Sequence, residues 1–541
     1  MPLKLNDLFT NLARRELPVL ISALLAGLAA APAAADVPHM LEDRPVDDSS
    51  IDLVSPITVD GFGGEDFAAG TPADILDILR RDFSLSYSEN RRIEVQRNWY
   101  VRNPDYLERV LMRAQRYMPY IRREIERRGM PAELALLPIV ESAYDPFAYS
   151  HGRAAGLWQM IPGTARRFGV RQNWWYDGRR DIVDSTRAAL DYLEYLHELN
   201  DGDWLNAIAS YNSGEGNVLK AVRRNRASGK PVDFWHLKVP KETAAYVPKL
   251  LALVDIVRDP GRYGLELTEV PDVQQFAITP IDTQLDLALA AEIAGVDIET
   301  IYAFNPGYNR WATDPDGPHT LVMPIEVVDR FTGTLEDIPA AERIRWKRHE
   351  IRSGETISEI AQEHHTTIAA LREANNLRGS TIRAGQHLMI PVATKPLSAY
   401  TKSADARLEA TQNRKRSGDR VEHVVASGES FWTISRRYGV STRQLAGWNG
   451  MAPGDTLSVG KKLVVWTDAH SAPGAPPVVA RGGTTRKLRY TVRNGDSLYL
   501  IAQKFRVTVQ QIAKWNQLDT GKILRPGQHL TMYVDVTRQS S

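Results

Sequence analysis

The sequence predicts a multidomain chain in which an all-α block is followed by three small α+β modules, each of βααβ order. Three observations carry this prediction. The 541 residues are more than one ordinary hydrophobic core can organise. Apolar residues recur at helical spacing through the first half. One pattern then returns three times at fixed internal offsets in the second half. A composition of 43% hydrophobic and 25% charged residues favours a folded chain over a disordered or fibrous one. With no cysteine, a disulfide framework, a Cys-only metal site and a thiol nucleophile are excluded as well.

At the N-terminus, Lys4, Arg14 and Arg15 precede an apolar run from Leu17 to Ala31, and Ala33-Ala34-Ala35 supplies small residues before Asp36. The run is about 15 residues long, short of the roughly 20 that cross a bilayer. Residues 1–35 are therefore expected to be a cleaved export signal, and the protein to work in the periplasm. Association with a membrane stays open, but lipidation at that junction is excluded because no Cys stands there. Residues 36–72 are acidic, with Asp47-Asp48 and several glycines, and are expected to form a flexible leader.

The helical block spans 73–265, with its core at 130–255. Asn103-Pro104 opens a helix whose apolar positions, Leu107, Val110, Leu111, Ala114, Tyr117, Met118, Ile121 and Ile125, share one face until Gly129 stops it. Pro131 starts a second helix running to Glu141, and further helices are expected at 184–199, 203–213 and 242–257. Asp181 and Asp184 read as turn or N-cap residues before the first of these.

Each repeat begins with a β-like run and a Gly-acid-Ser/Thr turn: Gly354-Glu355-Thr356, Gly428-Glu429-Ser430 and Gly495-Asp496-Ser497. An Asn follows 21 positions after each glycine, at Asn375, Asn449 and Asn516, and a second glycine with an apolar strand comes later, at Gly385, Gly460 and Gly527. Leu371, Leu445 and Ile512, four residues before each Asn, should pack a helix onto a two-stranded sheet. The modules occupy 348–392, 421–467 and 487–534, separated by a charged linker at 394–420 and a Pro-rich one at 468–486. Between block and modules, 266–340 reads as a connecting region with a degenerate half-copy from Ala291 to Asn305 that lacks the leading Gly turn.

Net charge divides along the chain. Residues 341–541 hold 31 Lys and Arg against 16 Asp and Glu, a net +15, although the whole chain carries only +1. A basic C-terminal part suits an anionic partner, nucleic acid or cell wall. Export weighs against nucleic acid.

Chemistry could sit at Glu141, which ends the apolar run Leu134 to Val140. A carboxyl against an apolar wall has its charged form disfavoured, which suits it to donate a proton near neutrality. Downstream stand Gly156-Leu157-Trp158-Gln159, Tyr211-Asn212-Ser213-Gly214-Glu215-Gly216 and Glu242-Thr243-Ala244-Ala245-Tyr246-Val247. Glycines let backbone approach a ligand, Asn and Tyr can hydrogen-bond an acetamido sugar, and Trp158 offers either a sugar-packing face or a core residue. The other nearby acids, Asp145, Asp177, Asp181, Glu215 and Glu242, lack a setting that recommends them as a second carboxylate. No metal or other cofactor is expected, since the histidines show no ligand spacing and His364-His365 should lie exposed on a module helix.

The three repeats resemble the LysM family of peptidoglycan- and chitin-binding modules. That resemblance implies binding of N-acetylglucosamine-containing glycans through the Gly turn and the Asn-bearing turn, where Thr356, Trp432, Tyr499, Asn375, Asn449 and Asn516 stand. Each Asn could instead organise its own turn, and Trp432 could be core. The motifs over 130–255 resemble the lytic transglycosylase (SLT) family of goose-type-lysozyme-like enzymes, closest in type to the D-type membrane-bound murein transglycosylases with C-terminal LysM repeats. A lysozyme-like fold is then implied, with Glu141 as the single catalytic acid/base and Gln159, Tyr211 and Asn212 contacting substrate. Ser142 is similar to the Ser that supports the acid, and Tyr246 looks placed to hydrogen-bond it. The partner implied is the peptidoglycan glycan strand, cleaved between N-acetylmuramic acid and N-acetylglucosamine with closure of a 1,6-anhydro ring. Trp-Gln-Met-Ile-Pro here departs from the usual Trp-Gln-Phe-Met-Pro, and the lipobox Cys is missing. A hydrolytic muramidase and a non-catalytic wall-binding scaffold are the alternative readings.

Overall fold

A computed structural model of the chain describes residues 72–467 and, in the last module, 485–492, 498, 501–502, 505, 507, 509–516, 518 and 527–535. The expected export signal, the leader up to residue 71, most of the second linker and Tyr499 lie outside the described residues.

The first block is helical throughout. It comprises α1 (Ile75–Asp82), α2 (Arg91–Val101), α3 (Pro104–Ala114), α4 (Met118–Arg127), α5 (Leu137–Ser142), α6 (Pro162–Arg167), α7 (Ile182–Leu199), α8 (Trp204–Ser213), α9 (Glu215–Ala227) and α10 (Lys241–Arg258). Two single helices expected from periodicity are each divided by a proline. Pro119 has no N–H to offer residue 115 and its ring would strike that carbonyl, so the chain turns between α3 and α4. Pro138 acts likewise, so a 3-10 turn at Ala132–Leu136 precedes α5. The later helices start and stop within two residues of the expected positions. Asp181 caps α7 by accepting from the Val183 and Asp184 backbone N–H groups. Helix α10 runs through the core, burying Val247, Leu250, Leu251 and Val254 completely.

The connecting region holds more than the half-copy expected there. It folds as a complete βααβ unit, β1 (Phe276–Pro280), α11 (Leu287–Ala294), α12 (Ile298–Phe304) and β2 (Thr320–Pro324), with β1 antiparallel to β2. Helix α13 (Val328–Glu336) closes its core with Phe331 and Leu335. No Gly turn is needed because Asp286 caps α11 and Asp297 caps α12.

The next module is β3 (Arg345–Glu350), α14 (Ile357–Glu363), α15 (Ile368–Ala374) and β4 (His387–Val392). The charged linker that follows is not a loose tether. It carries α16 (Ala404–Asn413), and Tyr400 buries its ring and donates its hydroxyl to the Asp286 carboxylate at 2.9 Å. Arg407 bonds the Asn309 side chain at 3.1 Å and Arg310 pairs with Asp405 at 2.6 Å. The second module is β5 (Asp419–Val424), α17 (Phe431–Tyr438), α18 (Thr442–Trp448) and β6 (Lys462–Thr467). Of the third, β7 (Thr485–Thr491), α19 (Val509–Asn516) and β8 (His529–Asp535) are described.

Each module centres on one asparagine. The Asn375 amide donates to the carbonyls of Leu371 and Met389 and accepts from the Met389 N–H, tying the end of α15 to β4. Asn449 does the same with Leu445 and Val464, and Asn516 with Ile512 and Thr531. Asn305 repeats the arrangement with Ile301 and Val322, which makes the 276–324 unit structurally the fourth member of the series. Leu371, Leu445 and Ile512 are fully buried, as their spacing predicts.

Candidate active site

Glu141 sits one residue before the end of α5, and the chain then turns sharply. Ala143 and Tyr144 both take left-handed backbone, at φ 53° and 59°, a conformation that costs energy in residues with a Cβ and persists only when surroundings enforce it. Here the enforcement is visible. The Tyr144 hydroxyl donates to the Ala135 carbonyl at 2.7 Å, Arg113 Nε donates to the Ala143 carbonyl at 2.9 Å, and Ser142 Oγ donates to the Leu157 carbonyl at 2.9 Å. Ser142 thus fastens the end of α5 to the loop that carries Gln159.

The Glu141 side chain keeps some solvent access while protein crowds its carboxyl. Burial pushes its pKa up to about 8; a hydrogen bond from the Tyr246 hydroxyl and the charge of Lys249 oppose that, and the charge of Glu242 adds to it. Tyr246, on α10, is buried with its ring packed into the helical core. At neutral pH the carboxyl is therefore mostly protonated, yet a donor already stands beside it for when it ionises.

Tyr211, near the end of α8, donates its hydroxyl to the Trp158 carbonyl at 2.7 Å, and its own ionisation is opposed by burial and then by Glu141. Asn212 accepts from Thr243 Oγ1 at 2.8 Å, joining the end of α8 to α10. Gln159 stands at φ 45° and donates its amide to the Gly156 carbonyl at 2.8 Å, while its Oε1 has no protein partner. Glu141, Ser142, the 156–159 loop, Tyr211 and Tyr246 are thus brought together by direct bonds. Trp158 is not a sugar-packing face: it is fully buried and donates Nε1 to Thr186 Oγ1 at 3.0 Å.

Four of the remaining acids, Asp145, Asp177, Asp181 and Glu215, have other work, while the charge of Glu242 acts on Glu141 itself. Burial of Asp177 is outweighed by Arg179 and Arg180, which hold its carboxyl below the usual range. Burial and the neighbouring Asp184 push the capping Asp181 up to about 6. Glu215 accepts from the Tyr192 hydroxyl at 3.0 Å and pairs with Arg167, and Asp145 accepts from the Phe147 N–H at 2.8 Å.

Sequence reasoning missed Arg179, which forks onto Asp177 with two 2.8 Å bonds and also donates to the carbonyls of Arg153 and Met160 at either end of the Gln159 loop. The signal was the Asp177-Gly178-Arg179-Arg180-Asp181 cluster, too charged to be a core segment and too short of helical period to be a surface helix. Gly156 belongs to the same assembly: a Cβ there would fall 1.9 Å from the Arg179 carbonyl oxygen.

In the modules, Thr356 caps α14 in a reciprocal capping box with Glu359. Asn375, Asn449 and Asn516 spend their amides on backbone, the turn-organising role that their sequence setting also allowed. Trp432 is not core; it is 53% exposed, with the Arg436 guanidinium 5.6 Å from its ring centre. His364 corrects another expectation, because it lies just past α14 and packs its ring against His349. Among the described residues, no group of three or more His, Asp or Glu could hold a metal ion. No helix among them is long and apolar enough to cross a membrane.

Comparison with known families places these features. The transglycosylase SLT domain matches residues 119–234, the LysM domain matches 349–391, 423–466 and 490–532, and the LysM-like domain of lytic transglycosylase MltD matches 275–340. The chain is 36% identical over 400 residues to the membrane-bound lytic murein transglycosylase D of Escherichia coli (strain K12), covering 71% of this chain and 85% of that one. An autolysin of Enterococcus faecalis is 30% identical over 184 residues, 33% of this chain and 24% of its own. Among solved structures, an inactive mutant of the lytic transglycosylase Slt of Pseudomonas aeruginosa shares 26% identity, covering 28% of this chain and 25% of that chain, with a TM-score of 0.21.

Proposed function

Because the chain belongs to the family of the membrane-bound lytic murein transglycosylase D, we propose that one carboxyl, Glu141, performs both proton transfers of its reaction. The protein is a peptidoglycan lytic transglycosylase with LysM repeats that bind the same polymer. Most glycosidases place two carboxylates across the bond they break. The observation that carries the single-residue reading is the setting of Glu141, its carboxyl crowded by protein and bonded by Tyr246, while Asp145, Asp177, Asp181 and Glu215 are committed to Arg, Tyr or backbone partners.

The steps follow from that setting. Glu141, protonated near neutrality, gives its proton to the oxygen linking N-acetylmuramic acid to N-acetylglucosamine, and the bond from that oxygen to the anomeric carbon breaks. The substrate's own acetamido group shields the positive charge left there. Glu141, now ionised and stabilised by the Tyr246 hydroxyl, takes the proton from the 6-hydroxyl of the same muramyl residue. The 6-oxygen closes onto the anomeric carbon as a 1,6-anhydro ring. Glu141 ends protonated, ready for another turn, and no water is consumed.

Ser142 and the Arg179-braced loop, which carries Gln159, hold this group in place. In the second module, exposed Trp432 is the sugar contact we favour, because aromatic faces pack on pyranose rings and this one is not spent on the core. Three weak modules on one chain raise the local concentration of enzyme at the wall, and the basic C-terminal part adds salt-dependent attraction to wall carboxylates. The export-like residues 1–35 support a periplasmic site of action.

Digestion of purified sacculi in heavy-oxygen water tests this reading. Muropeptides without incorporated label fit ring closure by the 6-hydroxyl. Label at the new reducing ends would make the enzyme a muramidase that uses water.

A further inference from the structure

In the first LysM module, the turn after Asn375 borders an open cavity of about 390 Å³ lined by Ile351, Leu377, Ile382 and His387. In the 276–324 unit, the matching turn after Asn305 is filled by the catalytic domain. The Gly307 carbonyl accepts from the Asp177 N–H at 2.8 Å, and the Asn309 N–H donates to the Trp175 carbonyl at 2.7 Å. Tyr308 packs its ring on Tyr176 at 5.3 Å, Trp311 packs on Trp175 at 5.6 Å, and all four rings are buried. The approach is close enough to demand glycine, since a Cβ on Gly307 would lie 2.7 Å from the Tyr176 ring. From Asp177 the contact continues through Arg179 to both ends of the Gln159 loop.

We propose that the 276–324 unit is a positioning element of the catalytic domain and not a glycan-binding module, holding the 153–160 loop through Gly307, Asp177 and Arg179. The first LysM module leaves its Asn-bearing turn open, whereas here the matching turn is closed by aromatic packing and backbone hydrogen bonds. The charges of Asp177 and Arg179 are buried together, so neither is spent on a ligand. Loss of the platform frees the loop that Ser142 ties to the end of α5, and misplacement of a reacting group by about 1 Å can cost on the order of a hundredfold in rate.

The inference rests on Glu141 acting beside this loop, a reading that Glu141→Gln tests alone. Gly307→Ala in the full chain tests the platform, with amide hydrogen exchange over 153–160, kcat and KM on soluble glycan strands, and binding to sacculi. Expected are exchange at 153–160 at least about tenfold faster, kcat lower by roughly ten- to a hundredfold, KM within about twofold and sacculus binding unchanged. Asp177→Asn leaves the glycine contact intact and should give the same loop signature, so it decides the matter if Gly307→Ala does not fold. Unchanged exchange and kcat in both variants, with only the melting temperature lowered, would reduce the contact to an ordinary domain interface. Loss of sacculus binding with kcat intact would make the unit a glycan-binding module. Either overturns the proposal.

Discussion

Replacing Glu141 by Gln should stabilise the protein, and by an amount that grows with pH. The carboxyl has a pKa of about 8 when folded and 4.5 as an unperturbed group. Its neutral form is the one the folded chain accommodates, so the stability it contributes is complete below about pH 4.5. That stability is lost progressively as pH rises from 4.5 through 8, while the unfolded chain ionises freely. Each pH unit in that window costs about 1.4 kcal/mol, and the interval from 4.5 to 7 therefore costs about 3 kcal/mol. Gln cannot ionise, and its Oε1 still accepts from the Tyr246 hydroxyl. Calorimetric melting of both proteins at pH 4.5 and pH 7.5 should show nearly equal transitions for the helical block at the lower pH. At the higher pH the variant should melt roughly 5–10 °C above the parent. A gain of the same size at both pH values would place its origin in packing and refute the burial argument. A variant less stable at pH 7.5 would refute it outright.

Other consequences are equally direct. Tyr246→Phe removes the donor that favours the ionised carboxylate, so the Glu141 pKa should rise further; the alkaline limb of the pH–rate profile moves up while the maximal rate falls, as read by release of soluble muropeptides. Asn449→Ala leaves the Val464 N–H and two carbonyls unpaired inside the second module and should destabilise that module by about 2–4 kcal/mol, measured by urea unfolding. Trp432→Ala should change stability by less than about 0.5 kcal/mol and yet weaken binding to sacculi in a sedimentation assay. A chain ending after Asn413 keeps the Tyr400–Asp286 contact that one ending after residue 393 would lose. It should hold its activity on soluble strands within about twofold while binding sacculi at least about tenfold more weakly.

The parts of this molecule set by local chemistry were legible in the sequence. Helix periods, the Asp181 cap and the threefold Gly-to-Asn spacing each express a short-range rule, and the structure places the elements where those rules put them. Pro119 and Pro138 belong to the same class of signal, but a continuous apolar face on either side of them concealed the breaks. Long-range partnerships were not legible. Nothing adjacent to Tyr400 in sequence shows that its hydroxyl meets Asp286, so a charged stretch that reads as a linker is in fact a folded strap. The 276–324 unit lacked its Gly turn, and only the pairing of β1 with β2 reveals it as whole. At the active site, Glu141 came from its apolar setting and motif resemblance and Tyr246 from resemblance, whereas the charged 177–181 cluster marks Arg179 as unusual without showing which carbonyls it braces. The Asn residues are the opposite case: a repeat strict enough to suggest a ligand proved to be the latch of the fold.

The central claim is that Glu141 alone carries both proton transfers. Mass analysis of the muropeptides released from purified sacculi by the parent and by Glu141→Gln, matched for folding by calorimetry, tests it most directly. The account predicts parent products one water lighter than hydrolysed fragments and no such products from the variant. Anhydro products from Glu141→Gln at the parent's rate would contradict it.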